Sequence, residues 1–164
     1  MHTRYLHVDR FLEPGELIAS ATPLAVKTIL GSCIAVCLWD PVAKIGGVNH
    51  YLLPHPCRPQ DSGNRFGVMA IPALLQEIAG LGGAPGRLEA SVIGGGCPMG
   101  ALHTAFVGRQ NRDIAIETLE RLHVRISRED TGGHHGRKLL FNTGSGQLIV
   151  RRVRGLHERL APEG

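Results

Sequence analysis

Two residues in the first third of the chain, Cys33 and His50, could together carry out nucleophilic chemistry. A free cysteine is only a few per cent thiolate at neutral pH, and an adjacent imidazole can take its proton and stabilise the anion. A Cys–His pair of this kind is typical of acyl transfer through a thioester. The alternative is that Cys33 is a small buried apolar residue and His50 a hydrogen-bonded core histidine. The spacing alone leaves both interpretations open.

The residues around Cys33 predict a tight turn between two strands. Gly31 and Ser32 precede the cysteine and leave its sulfur and the nearby N–H groups accessible to a substrate. The run from Leu24 to Ile29 predicts the strand that leads in. Alternation of side chains over residues 34–39 predicts the strand that leads out. We therefore expect the thiol at the edge of a strand.

The next segment predicts that His50 returns to this turn. Asp40-Pro41 marks the end of the second strand, and an apolar run from Ile45 to Leu53 predicts a third. His50 is expected within that third strand. Reversal of the chain after Asp40-Pro41 would place the third strand beside the second and bring the thiol and the imidazole together.

The rest of the chain predicts a single α/β domain with mixed sheets and two helices. Apolar residues recur at helical spacing from Val68 to Ala79, where Pro72 is tolerable only in the first turn. Asn111 is the predicted N-cap of the second helix. Residues 143–146 predict the loop of a C-terminal β-hairpin. Residues 94–96 are three glycines without the lysine and Ser/Thr of a phosphate loop, so they predict a structural turn where the backbone closely approaches a neighbour.

The ordered set of motifs in this sequence resembles the CheD family of chemoreceptor glutamine deamidases. The motifs are T-x-L-G-S-C at 28–33, D-P at 40–41 and G-G-x-N-H-x-x-L-P at 46–54. Later blocks that resemble the family are R-F-G at 65–67, the glycine segment 94–99, Asn111, and D-T-G-G…G-R-K…F at 130–141. The resemblance covers nearly the whole chain, which implies one domain over residues 1–164.

The resemblance implies a layered sandwich fold and conversion of receptor glutamine side chains to glutamate. It implies Cys33 as the nucleophile, His50 as the general base and Thr28 as the group that orients the histidine. Family members vary by one position at this threonine, where Lys27 is the neighbour. The N–H groups around Gly31 and Ser32 are our candidates for stabilising the oxyanion. No metal and no organic cofactor is expected.

The resemblance also implies partners and an alternative function. The expected partners are the cytoplasmic domains of chemoreceptors and a CheC-type chemotaxis phosphatase. A non-enzymatic adaptor that binds these proteins is the alternative to a deamidase. The tandem His134 and His135, in a glycine-rich block, compete with His50 for the role of base. Loop flexibility makes them the weaker prediction.

The composition agrees with a cytoplasmic globular protein. The chain has 164 residues, of which 43% are hydrophobic and 20% charged, and it carries a net charge of +4. We expect no nucleic-acid binding, since aromatic residues make up only 4% and no nucleic-acid-binding module is recognisable. Neither a signal peptide nor a membrane-spanning run is evident, so we expect no membrane insertion. The four cysteines are expected to be thiols, and Cys97 is assigned no role.

Overall fold

A computed structural model of the chain describes residues 7–153, which contain nine strands, two α-helices and one 3-10 turn. The ends of the predicted domain, residues 1–6 and 154–164, lie outside the described residues. The strands are β1 (Arg10–Phe11), β2 (Leu17–Ser20), β3 (Ala25–Leu30), β4 (Ile34–Asp40), β5 (Ile45–Asn49), β6 (Glu89–Gly94), β7 (Arg125–Thr131), β8 (Gly136–Asn142) and β9 (Leu148–Val153). The helices are α1 (Gly67–Gly80) and α2 (Leu102–Arg121), and the 3-10 turn is Pro85–Arg87.

The strands form two mixed sheets. One sheet has four strands in the order β1-β3-β8-β9, and the other has five in the order β2-β5-β4-β6-β7. The pairs β1–β3 and β6–β7 are parallel, and the remaining pairs are antiparallel. Strands β8 and β9 form the predicted C-terminal hairpin.

Strand β4 separates the two halves of the core. Its residues Ile34, Val36 and Leu38 belong to a buried cluster that includes the apolar faces of both helices. The intervening Ala35 and Cys37 belong to a second cluster, which is shared with the inner face of the four-stranded sheet and is called the inter-sheet cluster. Because successive side chains of a strand point to opposite faces, the five-stranded sheet lies between the helices and the other sheet. This arrangement confirms the predicted layered α/β fold with two helices.

The helices differ from the prediction in two details. Pro72 is the sixth residue of α1, beyond the first turn, so the helix continues without the hydrogen bond that its N–H would make. Helix α2 begins at Leu102, so the predicted N-cap Asn111 lies in its middle. The buried face of α2 includes Gly108, Asn111 and Thr118. A search for recurring apolar residues does not register small or polar positions, and the first half of the helix was therefore missed.

The carboxylate of Asp40 ties together three segments at one end of β4. It accepts hydrogen bonds from the main-chain N–H groups of Val42 at 2.9 Å, Ala43 at 3.1 Å and Ala84 at 2.8 Å. The Arg87 guanidinium donates to it at 2.9 Å. Arg87 above all, and then these N–H groups, hold the pKa of Asp40 well below its ordinary value. The side chain of Asp40 is fully buried, so these donors replace its hydration.

We expect Asp40→Asn to lower the free energy of unfolding by about 2–3 kcal/mol at pH 7, because the amide removes the charge and places N–H groups against N–H donors. Since folding lowers the Asp40 pKa, its contribution is complete above the unfolded value of about 4 and is lost as pH falls further. Urea unfolding at pH 7 and pH 3 measures both effects. Asp113→Asn, in an exposed pair with Arg112, is the control and should change stability little. Equal losses from the two variants would contradict the assignment.

Within residues 7–153, neither helix combines the length and apolar character needed to cross a bilayer.

Candidate active site

Cys33 and His50 lie where β4 and β5 separate. The last connection between these strands is the pair Ile34–Tyr51, whose N–H groups donate to each other's carbonyls at 3.2 and 3.0 Å. Strand β5 ends at Asn49, so His50 lies one residue beyond the strand, whereas the sequence predicted it within the strand. The predicted reversal of β5 beside β4 is confirmed.

Both side chains face the layer between the two sheets. Cys33 packs against the inter-sheet cluster, which also contains Val48, two residues before His50. In the antiparallel register His50 lies opposite Ala35, so Cys33 and His50 are diagonal neighbours on one face. Cys33 is half-buried, and His50 is only 2% exposed. The structure therefore brings the predicted nucleophile and base to the same face of the sheet, where β4 begins and β5 ends.

Thr28 holds the His50 ring in one tautomer. The Thr28 hydroxyl lies 2.8 Å from His50 Nδ1 and 2.8 Å from the carbonyl oxygen of Leu12. A carbonyl can only accept, so the single hydroxyl proton goes to Leu12 and Nδ1 must carry the proton donated to Thr28. The lone pair of His50 is therefore on Nε2. That atom is buried and has no hydrogen-bond partner among the described residues.

The alternation of β3 decides between Thr28 and its neighbour Lys27. Val26, Thr28 and Leu30 are buried, and Val26 and Leu30 belong to the inter-sheet cluster. Lys27 is partly exposed and points to the opposite face, since adjacent side chains on a strand alternate. The sheet-to-sheet contact to His50 thus comes from Thr28.

Burial favours the neutral forms of both Cys33 and His50. It lowers the pKa of His50 to about 4, and it raises the pKa of the Cys33 thiol. The main-chain N–H of Cys33 partly opposes the second effect. No hydrogen bond joins Cys33 Sγ to His50 Nε2 in the resting arrangement. At neutral pH the pair is therefore a neutral thiol and a neutral imidazole.

The turn at 31–33 has all three of its carbonyls anchored. Gly31 accepts from the Gly96 N–H at 2.9 Å, and Cys33 accepts from the Gly95 N–H at 2.8 Å. Ser32 accepts from Asn111 Nδ2 at 3.0 Å.

The N–H groups of this turn make no hydrogen bonds to other residues in 7–153. The C=O and N–H of a trans peptide point in opposite directions. The anchored carbonyls of Gly31 and Ser32 therefore direct the N–H groups of Ser32 and Cys33 away from Gly96 and Asn111.

The predicted glycine turn is the surface against which the Cys33 turn packs. Gly94 has φ +118°, and a Cβ at this position would collide with the carbonyl of Cys33. Gly95 has φ +63° and packs against the main chain of Gly108 in α2. This confirms that the backbone at 94–96 closely approaches a neighbour, and the neighbour is the segment that carries the predicted nucleophile.

The two competing histidines, His134 and His135, lie in the glycine-rich loop between β7 and β8. His134 lines a cavity of about 680 Å³ whose walls include Cys97 and Arg109 but neither Cys33 nor His50. His135 contributes its carbonyl to the Arg137 guanidinium at 2.9 Å. Within residues 7–153, no group of three or more His, Cys, Asp or Glu side chains is arranged to hold a metal ion.

One residue at the site, Asn111, was not predicted to be part of it. Its carboxamide contacts the main chain on both sides of the Cys33–His50 pair. Asn111 is a polar residue on the buried face of α2, and such a position can indicate a functional contact. Its assignment as an N-cap placed the start of the predicted helix there, so this indication was missed.

Comparisons with known proteins identify relatives of the chain. Residues 52–152 match the family described as CheD chemotactic sensory transduction. The chain is 40% identical over 145 residues to a probable chemoreceptor glutamine deamidase CheD 1 of Anaeromyxobacter dehalogenans, covering 87% of this chain and 84% of that protein. It is 36% identical over 147 residues to a protein of the same name from Burkholderia thailandensis, covering 87% of this chain and 63% of that protein.

Among solved structures, the Bacillus licheniformis hypothetical protein YfiH gives a TM-score of 0.46 at 14% identity. The similarity covers 70% of this chain and 49% of that one, and it is too low to support an argument about fold or function.

We expect alkylation of Cys33 by iodoacetamide to keep accelerating above pH 9 in the folded protein, because burial raises the thiol pKa above its ordinary value. In urea the same cysteine should level off nearer its ordinary pKa of about 8.5. Mass spectrometry of the peptide that contains Cys33, sampled over time at each pH, gives both profiles. A folded profile that levels off near pH 7 would instead indicate a stabilised thiolate.

Proposed function

The chain belongs to the CheD family, and on this premise we propose that it is a protein-glutamine deamidase that converts glutamine side chains of chemoreceptors to glutamate. The names of its relatives support the substrate class. The observation that carries the chemistry is the hydrogen bond from His50 Nδ1 to Thr28, which leaves Nε2 unprotonated on the same face as Cys33. We assign the activity to residues 1–164 as one domain.

The first half of the proposed reaction forms a thioester. As the Cys33 sulfur attacks the amide carbon of the glutamine side chain, its proton passes to His50 Nε2. The N–H groups of the turn at Gly31, Ser32 and Cys33 stabilise the oxyanion of the tetrahedral intermediate. The C–N bond then breaks, and His50 gives its proton to the departing ammonia. A site that lowers the pKa of His50 to about 4 makes the protonated imidazole a strong acid for this step.

The second half releases glutamate. Water loses a proton to His50 Nε2 and attacks the thioester carbon, and the oxyanion forms again at the same turn. Breakage of the C–S bond leaves the new carboxyl group, and the His50 proton returns to the sulfur. Thr28 accepts the Nδ1–H hydrogen bond throughout and so holds the ring in one orientation. These steps require no metal and no organic cofactor.

The proposed substrates place the protein in the cytoplasm, where it would meet the cytoplasmic domains of chemoreceptors. A CheC-type chemotaxis phosphatase is proposed as a second partner. Binding to nucleic acid or insertion into a membrane forms no part of the proposal. The alternative is an adaptor that binds these proteins without catalysis, and it differs from the deamidase in its dependence on the Cys33 sulfur.

The decisive variant is Cys33→Ala, which should abolish the mass increase of about 1 Da per converted glutamine, because no thioester can form. Mass spectrometry of a chemoreceptor cytoplasmic fragment incubated with the protein measures the conversion. Cys37→Ala, which removes a buried thiol from the same strand face, is the matched control and should remain active. Deamidation by Cys33→Ala would overturn the nucleophile assignment. Normal receptor signalling with Cys33→Ala as the sole copy would favour the adaptor.

Thr28→Val should lower kcat for deamidation at least about tenfold and change KM little, because an unheld imidazole samples the wrong tautomer and orientation. Val keeps the shape of the strand residue and removes the hydroxyl that accepts from Nδ1–H and donates to Leu12. Lys27→Ala, on the opposite face of β3, is the control and should keep wild-type kcat. Steady-state kinetics on the receptor fragment compares the three proteins. Unchanged kcat in Thr28→Val would make Thr28 an ordinary strand residue.

A further inference from the structure

The carboxamide of Asn111 contacts both of the segments that carry Cys33 and His50. Asn111 lies in the middle of α2 and is fully buried. Its Nδ2 donates to the carbonyl of Ser32 at 3.0 Å and to the carbonyl of Leu52 at 2.8 Å. Ser32 directly precedes Cys33, and Leu52 follows His50 by two residues. The two amide protons of one side chain therefore connect both segments to the same helix.

Asn111 takes over where the main-chain ladder between the strands stops. The last ladder bonds join Ile34 and Tyr51, and beyond them the two backbones diverge. The Tyr51 hydroxyl also donates to the main-chain carbonyl of Asn111 at 2.6 Å. A carboxamide carries the same N–H donors as the peptide group, so it can connect two backbones that are too far apart to pair directly. The separation of the two segments is thus held by a side chain.

The contact to Ser32 also sets a direction. The peptide that joins Ser32 to Cys33 is planar and trans, so a fixed Ser32 carbonyl turns the Cys33 N–H away from α2. This N–H and the sulfur belong to the same residue, so the donor lies close to the sulfur. In an acyl transfer the oxyanion forms close to the attacking sulfur, so an N–H at this place can donate to it.

We propose that Asn111 is a positioning residue that aims the Cys33 N–H at the oxyanion and fixes the nucleophile segment relative to the base segment. The oxyanion part of this inference rests on the proposed function. The placement of Cys33 rests on the hydrogen bonds alone.

The test compares Asn111→Leu, similar in size but without donors, with Thr118→Val. Thr118 is the matched control, since it is a fully buried polar residue of α2 whose hydroxyl has no partner among the described residues. Asn111→Leu should lower kcat for the receptor fragment at least about tenfold with KM within about twofold, because oxyanion contacts act in the transition state. It should also slow alkylation of Cys33 at pH 8, which reports the geometry of the turn without a substrate. Thr118→Val should retain both properties.

A second variant, Asn111→Asp, tests the positioning role of Asn111 if Asn111→Leu does not fold. Its carboxyl can donate one proton when neutral but repels both carbonyls when ionised. Activity and Cys33 alkylation relative to wild type should therefore rise as pH falls from about 8 to 5.5, where His50 remains an unprotonated base because its pKa is about 4. Circular dichroism at each pH confirms that the variant is folded.

Wild-type kcat and a wild-type rate of Cys33 alkylation in folded Asn111→Leu would overturn the inference. It would also be overturned if the activity and alkylation rate of Asn111→Asp, each relative to wild type, did not change with pH. If the wild-type protein itself does not deamidate the receptor fragment, the proposed function is wrong. In that case the alkylation comparison alone still decides whether Asn111 positions Cys33.

Discussion

The hydrogen bond between His50 and Thr28 is the contact on which the site depends, because it joins the two sheets at the point where the chemistry is placed. Thr28 belongs to the four-stranded sheet, while His50 directly follows the end of β5 in the five-stranded sheet. The bond can form only when both inner faces are packed together, so the state of the imidazole is coupled to the completed fold. Since the threonine proton is committed to Leu12, the direction of the bond is also fixed.

Burial between the sheets gives the pair a particular electrostatic character. An isolated Cys–His pair in water has some tendency to exist as thiolate and imidazolium, but a low-dielectric layer penalises both charges. The raised pKa of Cys33 and the lowered pKa of His50 are two consequences of the same packing. The sulfur therefore remains a neutral thiol until a substrate is present, which also limits its reaction with other electrophiles.

Close backbone approach shapes the other side of the site. Gly94, Gly95 and Gly108 remove side chains where the glycine turn meets the Cys33 turn and α2. The glycine turn and the Cys33 turn then share main-chain hydrogen bonds directly, and the side chain of Asn111 connects the Cys33 turn to α2. Main-chain donors held in this way need little rearrangement when charge develops, which is the property that an oxyanion site requires.

The sequence by itself determined the elements near the thiol and the identity of the residues that meet. Alternation over β4, the punctuation at Asp40-Pro41 and the following apolar run were enough to predict that Cys33 and His50 converge, since these are local signals of strands and a reversal. The glycines at 94–96 likewise predicted a close approach of the backbone, because few other residues tolerate one.

Only the tertiary structure decided the rest. The choice of Thr28 over Lys27 depends on which face of β3 meets the other sheet, and the tautomer of His50 depends on the position of the Leu12 carbonyl. The extent of α2 and the role of Asn111 were hidden because its buried face is built from small and polar side chains whose partners lie far along the chain. Such contacts leave no periodic signal, since a residue whose value lies in bridging two distant backbones looks in sequence like any other polar position.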